Sequence, residues 1–272
     1  MRTLCLAAAF AAAAGTAAAQ SIQLAPLANV QAPPGNPEGE VVWLPNYHFH
    51  LNMAHLSHDS PRYSWDANYG GELGLVAVGR TQLTFVANYQ AVLGDEFHPF
   101  DPNQGNYTID GVLSTRVKGL YVAGVFHHLS RHLADRPKRP PVDWHMVGGR
   151  VGTLFTRGGT DVEARFDLLG SILKTNVDYD WEMHAGVRVH HRVYGTLGLI
   201  GAATLREVRT SAVGTLGPRG NQTGGRGEGG LRVSGKAATI ELYLAVERVI
   251  DPYPTEFGTA RYASVGMRLL TR

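Results

Sequence analysis

The chain has 272 residues, of which 44% are hydrophobic and 18% are charged, and its formal net charge is only +2. The hydrophobic content is too high for a disordered chain, and no apolar run outside the N-terminus reaches the roughly 18 residues of a membrane helix. The balanced charge argues against a nucleic-acid binder, which would show a basic face or tail. Cys5 is the only cysteine and lies near the start, so the mature fold must be stable without disulfides.

The first 40 residues are predicted to lie outside the folded domain. Residues 1–19 have the pattern of a secretory signal peptide, with a basic start at Arg2, an apolar run and an A-x-A-like cleavage site. Residues 20–40 are a polar, proline-containing lead to which no regular structure is assigned. Residues 41–272 are left as one folded domain of an exported protein.

From Val41 onward, apolar and polar residues alternate with a period of two, and no sustained helical period is present. In the first segment, Phe49 and Leu51 share one face while His48 and His50 share the other. Repeated along the chain, this pattern predicts about twelve strands. Their predicted bounds are 41–53, 64–77, 80–93, 106–117, 119–131, 143–156, 160–173, 179–191, 194–206, 226–235, 238–249 and 260–271.

Short and long connections alternate between these predicted strands. Links such as 79–80 and 118–119 are short, whereas 94–105 and 207–225 are long, with one exception at the short link near Asn176. Short turns on one side and long loops on the other are typical of outer-membrane barrels, and the strand lengths fit a bilayer crossing. We therefore predict an all-β fold, a closed antiparallel transmembrane β-barrel of about twelve strands in the outer membrane of a Gram-negative bacterium.

A soluble sandwich or a lipocalin-like barrel would instead bury the apolar face. The signal peptide, the loop pattern and a set of aromatic residues near strand ends favour the membrane barrel. These aromatic residues are Trp43, Tyr63, Trp65, Tyr89, Tyr107, Tyr121, Trp144, Trp181, Tyr194 and Tyr262. In such a barrel the apolar face meets lipid, and side chains such as Glu163, Glu182 and Arg188 pair inside the lumen.

One segment near the end of the fifth predicted strand carries candidate chemistry. His128 and Ser130 share the lipid-facing parity and lie two residues apart, which places their Cα atoms roughly 6–7 Å from each other. An imidazole at that distance can act as the base for a hydroxyl. A polar pair on a lipid-facing stripe is costly unless it functions there or lies at the membrane interface.

The His-x-Ser pattern at the outer end of a barrel strand resembles outer-membrane phospholipase A, and it is similar to the lipid A 3-O-deacylase of the outer membrane. In the phospholipase an Asn follows a Trp at the start of the next strand. Here Trp144 matches that Trp, and His145 stands in the place of the Asn. The resemblance implies that Ser130 attacks an ester carbonyl while His128 accepts its proton. Asp143 and His145 share one face of the next strand, which we align with the face of His128 and Ser130, so either can orient His128. Asp143 is the better candidate, because its negative charge stabilises the imidazolium.

The resemblance also implies calcium at a dimer interface, for which Asp135 and Asp143 are the available carboxylates. From the residues alone, no cofactor and no metal site is predicted. The match is incomplete, since Arg131 and His132 follow the serine where the phospholipase continues with Asn-Gly.

Other histidines have the lumen parity and are expected to form hydrogen bonds there, because a neutral imidazole both donates and accepts. These are His48, His50, His127, His184 and His190. The pairs His48 with His50 and His55 with His58 have spacings that also suit a metal, although no carboxylate near the first pair completes a site.

The sequence leaves two functions open. The favoured one is a structural or narrow-channel barrel with a charged, largely filled lumen. The alternative is an outer-membrane lipid hydrolase, a serine esterase acting on phospholipid or lipid A through Ser130, His128 and Asp143 or His145. In the first case the pair lies at headgroup level, beside the basic residues Arg131, Arg136, Lys138 and Arg139 that bind lipid phosphates. Outer-membrane lipids, lipopolysaccharide and the assembly machinery are the expected partners, and nucleic acid is not.

Overall fold

The computed structural model describes residues 39–134, 141–212, 217–253 and 256–271. The predicted signal peptide, nearly all of the polar lead, Asp135, Arg136, Lys138 and Arg139 lie outside these residues. No helix in the described part of the chain is long and apolar enough to span a bilayer. The strands are β1 (Val41–Trp43), β2 (Tyr47–Ser57), β3 (Trp65–Val78), β4 (Thr81–Gly94), β5 (Asp101–Val117), β6 (Leu120–Leu133), β7 (Val142–Arg157), β8 (Thr160–Thr175), β9 (Tyr179–Tyr194), β10 (Leu197–Thr210), β11 (Asn221–Ser234), β12 (Ala238–Ile250) and β13 (Thr259–Thr271).

Strands β2 to β13 form one antiparallel sheet that closes on itself. Each strand pairs with its neighbour in the chain, and β13 pairs with β2 through contacts such as Met267 opposite Met53. Closure gives the backbone N–H and C=O groups of every strand a hydrogen-bond partner, which is required where lipid offers none. The short β1 pairs with the far end of β3 and is separated from β2 by Leu44, which has a φ of 50°. The predicted closed barrel of twelve strands is confirmed, with one additional short strand.

The two ends of the barrel differ in the length of their connections. At one end, five connections span two or three residues, at 79–80, 118–119, 158–159, 195–196 and 235–237. At the other end five connections span six to ten residues, at 58–64, 95–100, 134–141, 211–220 and 251–258, and the sixth, 176–178, spans three. These are called the short-turn end and the loop end below. The predicted alternation of connections is confirmed, including the short link at Asn176.

The apolar face points outward, as predicted for a membrane barrel. The large side chains of Trp43, Phe49, Phe85, Phe166 and Leu242 are all exposed on the outer face, whereas Glu163, Glu182 and Arg188 are buried in the interior. A soluble barrel would have the reverse arrangement. The alternation is clearest in β2, where exposed and buried residues follow one another over the whole strand.

Ion pairs fill much of the interior. Glu241 is fully buried at 0% exposure and accepts hydrogen bonds from Arg188, from Arg232 at 3.1 Å and from Arg268 at 2.9 Å. Glu228 accepts a hydrogen bond from the other terminal nitrogen of Arg268, Nη2, at 3.0 Å. Because a buried charge is tolerated when it is paired, this network explains how one face of each strand can be both charged and internal.

Most of the interior histidines bond as predicted. The N–H or acceptor nitrogen of each ring meets a polar side chain of the barrel wall: His50 with Asn88 at 2.9 Å, His127 with Asp110 at 2.7 Å, His184 with Glu182 at 3.0 Å and His190 with Asp161 at 3.1 Å. These contacts assign the four rings to the hydrogen-bonded interior.

The interior also contains an apolar core that the alternating pattern did not predict. Trp144 is buried at 0% exposure and meets Tyr179 edge to face, with ring centroids 5.0 Å apart. Leu129, Met146 and Val208 pack in the same cluster. The prediction of an interfacial position is therefore wrong for four aromatic residues, which point inward: Tyr63, Tyr121, Trp144 and Tyr262. Tyr121, Trp144 and Tyr262 lie at inward-facing positions of their strands, and Tyr63 lies in a connection between strands. The four rings occupy interior volume that the charged side chains do not fill.

Candidate active site on the outer face

The candidate residues lie together near the loop end of β5, β6 and β7. Ser130 pairs in register with Tyr107 on one side and Asp143 on the other, and His128 pairs with His145. The predicted pairing of the two strands is confirmed. Leu129 and Arg131 are buried at 1% and 5% exposure, so their neighbours His128 and Ser130 point outward, as their parity predicted.

The serine is bonded to an imidazole, but to a different one from the predicted partner. Ser130 Oγ lies 2.8 Å from Nε2 of His132, the residue two positions further along β6. The His132 ring is exposed and meets the Tyr107 ring edge on, with centroids 5.5 Å apart. Since residues i−2 and i+2 both flank a strand residue on the same face, spacing alone did not distinguish His128 from His132.

His128 instead belongs to a second group. Its ring stacks on His145, with centroids 4.4 Å apart and planes inclined by 33°. His145 Nε2 in turn lies 3.7 Å from a carboxylate oxygen of Asp143, which accepts a hydrogen bond from Thr175 at 3.4 Å. The structure thus brings all four predicted residues onto one face, with Asp143 beside His145 and across the strand pair from Ser130.

A row of tyrosines leads to the site along the outer face. Tyr69, Tyr89 and Tyr107 are register partners on β3, β4 and β5, and Ser130 is the next residue in the same row. The ring centroids of Tyr69 and Tyr89 lie 5.2 Å apart, and those of Tyr89 and Tyr107 lie 4.8 Å apart. Aromatic rings with a polar tip are typical of the boundary between lipid and water, so this row places Ser130 close to that boundary.

A second His-Leu-Ser sequence, His55-Leu56-Ser57, lies at the loop end of β2. His55 and Ser57 are also exposed on the outer face. His55 meets the Trp65 ring at 5.0 Å, and Ser57 has no imidazole partner within the described chain. The tripeptide is therefore not specific by itself, and the bond to His132 distinguishes Ser130 from Ser57.

The described residues near Ser130 do not fit a calcium ion. Calcium takes six to eight oxygen ligands. Asp143 has Thr175 as its nearby oxygen donor, Asp135 lies outside the described residues, and no group of three or more His, Cys, Asp or Glu side chains in the described chain is arranged to hold a metal.

No protein-family profile and no curated protein sequence matches the chain. Solved structures do match its fold. Outer membrane phospholipase A from Escherichia coli is 12% identical with a TM-score of 0.51, over 85% of this chain and 98% of that chain. The Salmonella typhi outer membrane phospholipase, a dimer with bound calcium, is 13% identical with a TM-score of 0.50, over 84% and 90%.

An outer membrane channel from Pseudomonas putida F1 matches equally well, at 11% identity and a TM-score of 0.52, over 89% of this chain and 99% of that chain. Identities this low establish the fold alone. The chain therefore has the architecture of bacterial outer-membrane β-barrels, an architecture that both a phospholipase and a channel use.

Proposed function

We propose that the protein is an acyl-ester hydrolase of the Gram-negative outer membrane, with Ser130 as its nucleophile and a membrane lipid as its substrate. The observation that supports this proposal is the 2.8 Å distance between Ser130 Oγ and His132 Nε2 on the lipid-facing side of the barrel. A hydroxyl bonded to an imidazole is the essential arrangement of an activated serine. A polar group placed against lipid is also costly, and function accounts for it.

The reaction follows the acyl-transfer scheme. Ser130 Oγ attacks the ester carbonyl carbon while its proton passes to His132 Nε2, and a tetrahedral intermediate forms. The bond from that carbon to the alcohol oxygen then breaks, and the alcohol leaves with the proton held by His132. Water, deprotonated by the same imidazole, then attacks the acyl carbon. The bond from that carbon to Ser130 Oγ breaks, Oγ takes the proton back from His132, and the fatty acid is released.

Asp143, on the neighbouring strand, supplies a negative charge that favours the imidazolium of His132 in this scheme. It lies directly across the β6–β7 pair from Ser130, and its carboxylate is 3.7 Å from His145. A nearby negative charge stabilises a protonated imidazole more when water is excluded. His128, two residues before Ser130 on the same face, stacks on His145 and forms a second imidazole pair beside the Ser130–His132 pair.

The test is release of fatty acid by the refolded full-length protein from phospholipid vesicles and, in parallel, from lipopolysaccharide. Ser130→Ala is expected to abolish turnover, and His132→Asn to lower kcat about 10³-fold or more. Ser57→Ala is the matched control, because it removes an outer-face serine from the same tripeptide, and it should leave the rate unchanged.

Two results bear on the role of each imidazole. A loss in His132→Asn that exceeds the loss in His128→Asn supports His132 as the base, and the reverse ranking assigns the base to His128. Unchanged turnover in Ser130→Ala, or no turnover by the wild-type protein on either lipid, would refute the hydrolase.

A structural barrel without catalysis is the second candidate, and the filled interior favours it. Buried Arg–Glu pairs and the apolar core around Trp144 occupy the lumen, so a continuous water path is not expected. Planar-bilayer recordings of the wild-type protein should show no stable conductance steps. Steady channel openings would contradict the filled lumen and favour the channel.

A further inference from the structure

In the described residues, ion pairs join loops at the loop end, whereas a cavity opens at the short-turn end. Arg219 joins two loops at the loop end, with hydrogen bonds of 2.7 and 2.8 Å to Asp178 and of 2.8 Å to Asp251. At the opposite end a cavity of about 540 Å³ is lined by the ends of β7, β8, β9 and β11 and by the short turns beside them. Its volume falls within the range of small-molecule sites, about 300–1,000 Å³.

The cavity has unbalanced positive charge. Arg192 and Lys236 line it, and neither makes an ion pair within the described chain. Asp161, the carboxylate in the same wall, is already engaged by Thr156 at 2.8 Å and by His190 at 3.1 Å. Two cations therefore face one carboxylate in this wall, and the oxygen atoms of that carboxylate are already bonded to Thr156 and His190.

The whole short-turn end reinforces this charge. Each of the five short turns carries a Lys or Arg within a few residues: Arg80, Lys118, Arg157, Arg192 and Lys236. Clefts bordered by one sign of charge concentrate ligands of the opposite sign. The hydroxyl groups of Thr196 and Ser234 supply uncharged donors in the same cavity, whereas the Thr156 hydroxyl is already bonded to Asp161.

We infer that this cavity is a binding site for a small, multiply charged oxyanion that enters from the short-turn end. In outer-membrane barrels the short turns face the periplasm, so the ligand is a periplasmic phosphate or carboxylate compound. Arg192 and Lys236 hold the charge and the hydroxyl groups orient the oxygen atoms. The site is independent of Ser130, which lies on the opposite face of the wall near the other end.

The test is isothermal titration of the refolded full-length protein in uncharged detergent at low salt, with inorganic phosphate, with citrate and with glucose as an uncharged probe. Binding of phosphate or citrate that weakens as salt increases supports the site, and the better-bound anion identifies the ligand class. Arg192→Gln combined with Lys236→Gln should weaken that binding at least tenfold.

The matched control is Arg116→Gln combined with Lys118→Gln, which removes two exposed cations from another short turn. It should change the affinity less than threefold, because those residues do not line the cavity. Retained gel mobility of the unheated variants shows that they are folded. An equal loss in the control, binding of glucose as tight as that of the anions, or no binding to the wild-type protein would overturn the proposal.

Discussion

Replacing Glu241 by Gln is the most direct test of the charged interior. The side chain is 0% exposed, and three guanidinium groups share its carboxylate. Gln keeps the volume and one acceptor oxygen but removes the negative charge. The ion-pair network around it consists of Arg188, Arg226, Arg232, Arg268, Glu228, Glu241 and Glu247.

The size of the effect follows from the charge balance in that network. Four arginines face three glutamates in the wild-type protein and would face two in the variant. Leaving buried charges without a partner costs about 3–5 kcal/mol, so the free energy of unfolding should fall by about that amount. Urea unfolding in phospholipid vesicles, followed by fluorescence of the four tryptophans, measures it.

Glu256→Gln is the matched control, because it removes the same charge from an exposed pair with Arg62, where the carboxylate is 60% exposed. That change should cost no more than about 1 kcal/mol. Adding Arg188→Met to Glu241→Gln restores the charge balance and should recover part of the loss, a coupling that a double-mutant cycle quantifies. If Glu241→Gln costs no more than the control, the interior pairs do not stabilise the fold as argued.

Three further changes examine other parts of the barrel. Leu168→Arg on the outer face should lower the free energy of unfolding in vesicles by about 2–4 kcal/mol, and a negligible cost would contradict its lipid-facing assignment. Gly152→Ala places a methyl group against the buried Tyr121 ring and should cost about 1–3 kcal/mol, whereas Gly124→Ala meets open space and should stay within about 0.5 kcal/mol. Arg219→Gln removes the bonds between two loops and should speed their cleavage by protease without a change in strand content; cleavage at the wild-type rate would show that these bonds do not hold the loops.

Strands and their faces were predictable because both follow from local alternation. Phe49 and Leu51 point outward and His48 and His50 inward because successive side chains of a strand point to opposite faces. The strand ends were less accurate. β5 begins at Asp101, five residues before its predicted start, because polar residues on both faces obscure the pattern there.

The side chains that fill the interior were less predictable than the strands that enclose it. Aromatic residues near strand ends are common at the membrane boundary, so the position of Trp144 in the sequence favoured the outer face. The alternation along its strand places it in the interior instead, where it is buried. Whether a ring fills the interior depends on the side chains across the barrel, such as Tyr179 and Val208. These contacts join strands that are distant in sequence, and alternation along one strand carries no information about them.

The same limit applies to the candidate site, where parity found the face but not the bond. His128, Ser130 and His132 share one side of β6, and only the side-chain conformation decides which imidazole the serine meets. Side chains of the two neighbouring strands favour this conformation, because His145 on β7 stacks on His128 and the Tyr107 ring on β5 contacts His132. At Ser57 the same tripeptide has Trp65 against its histidine, and its serine has no imidazole partner among the residues that the structure describes. Cross-strand neighbours, more than the tripeptide, therefore determine where a nucleophile can form on this barrel.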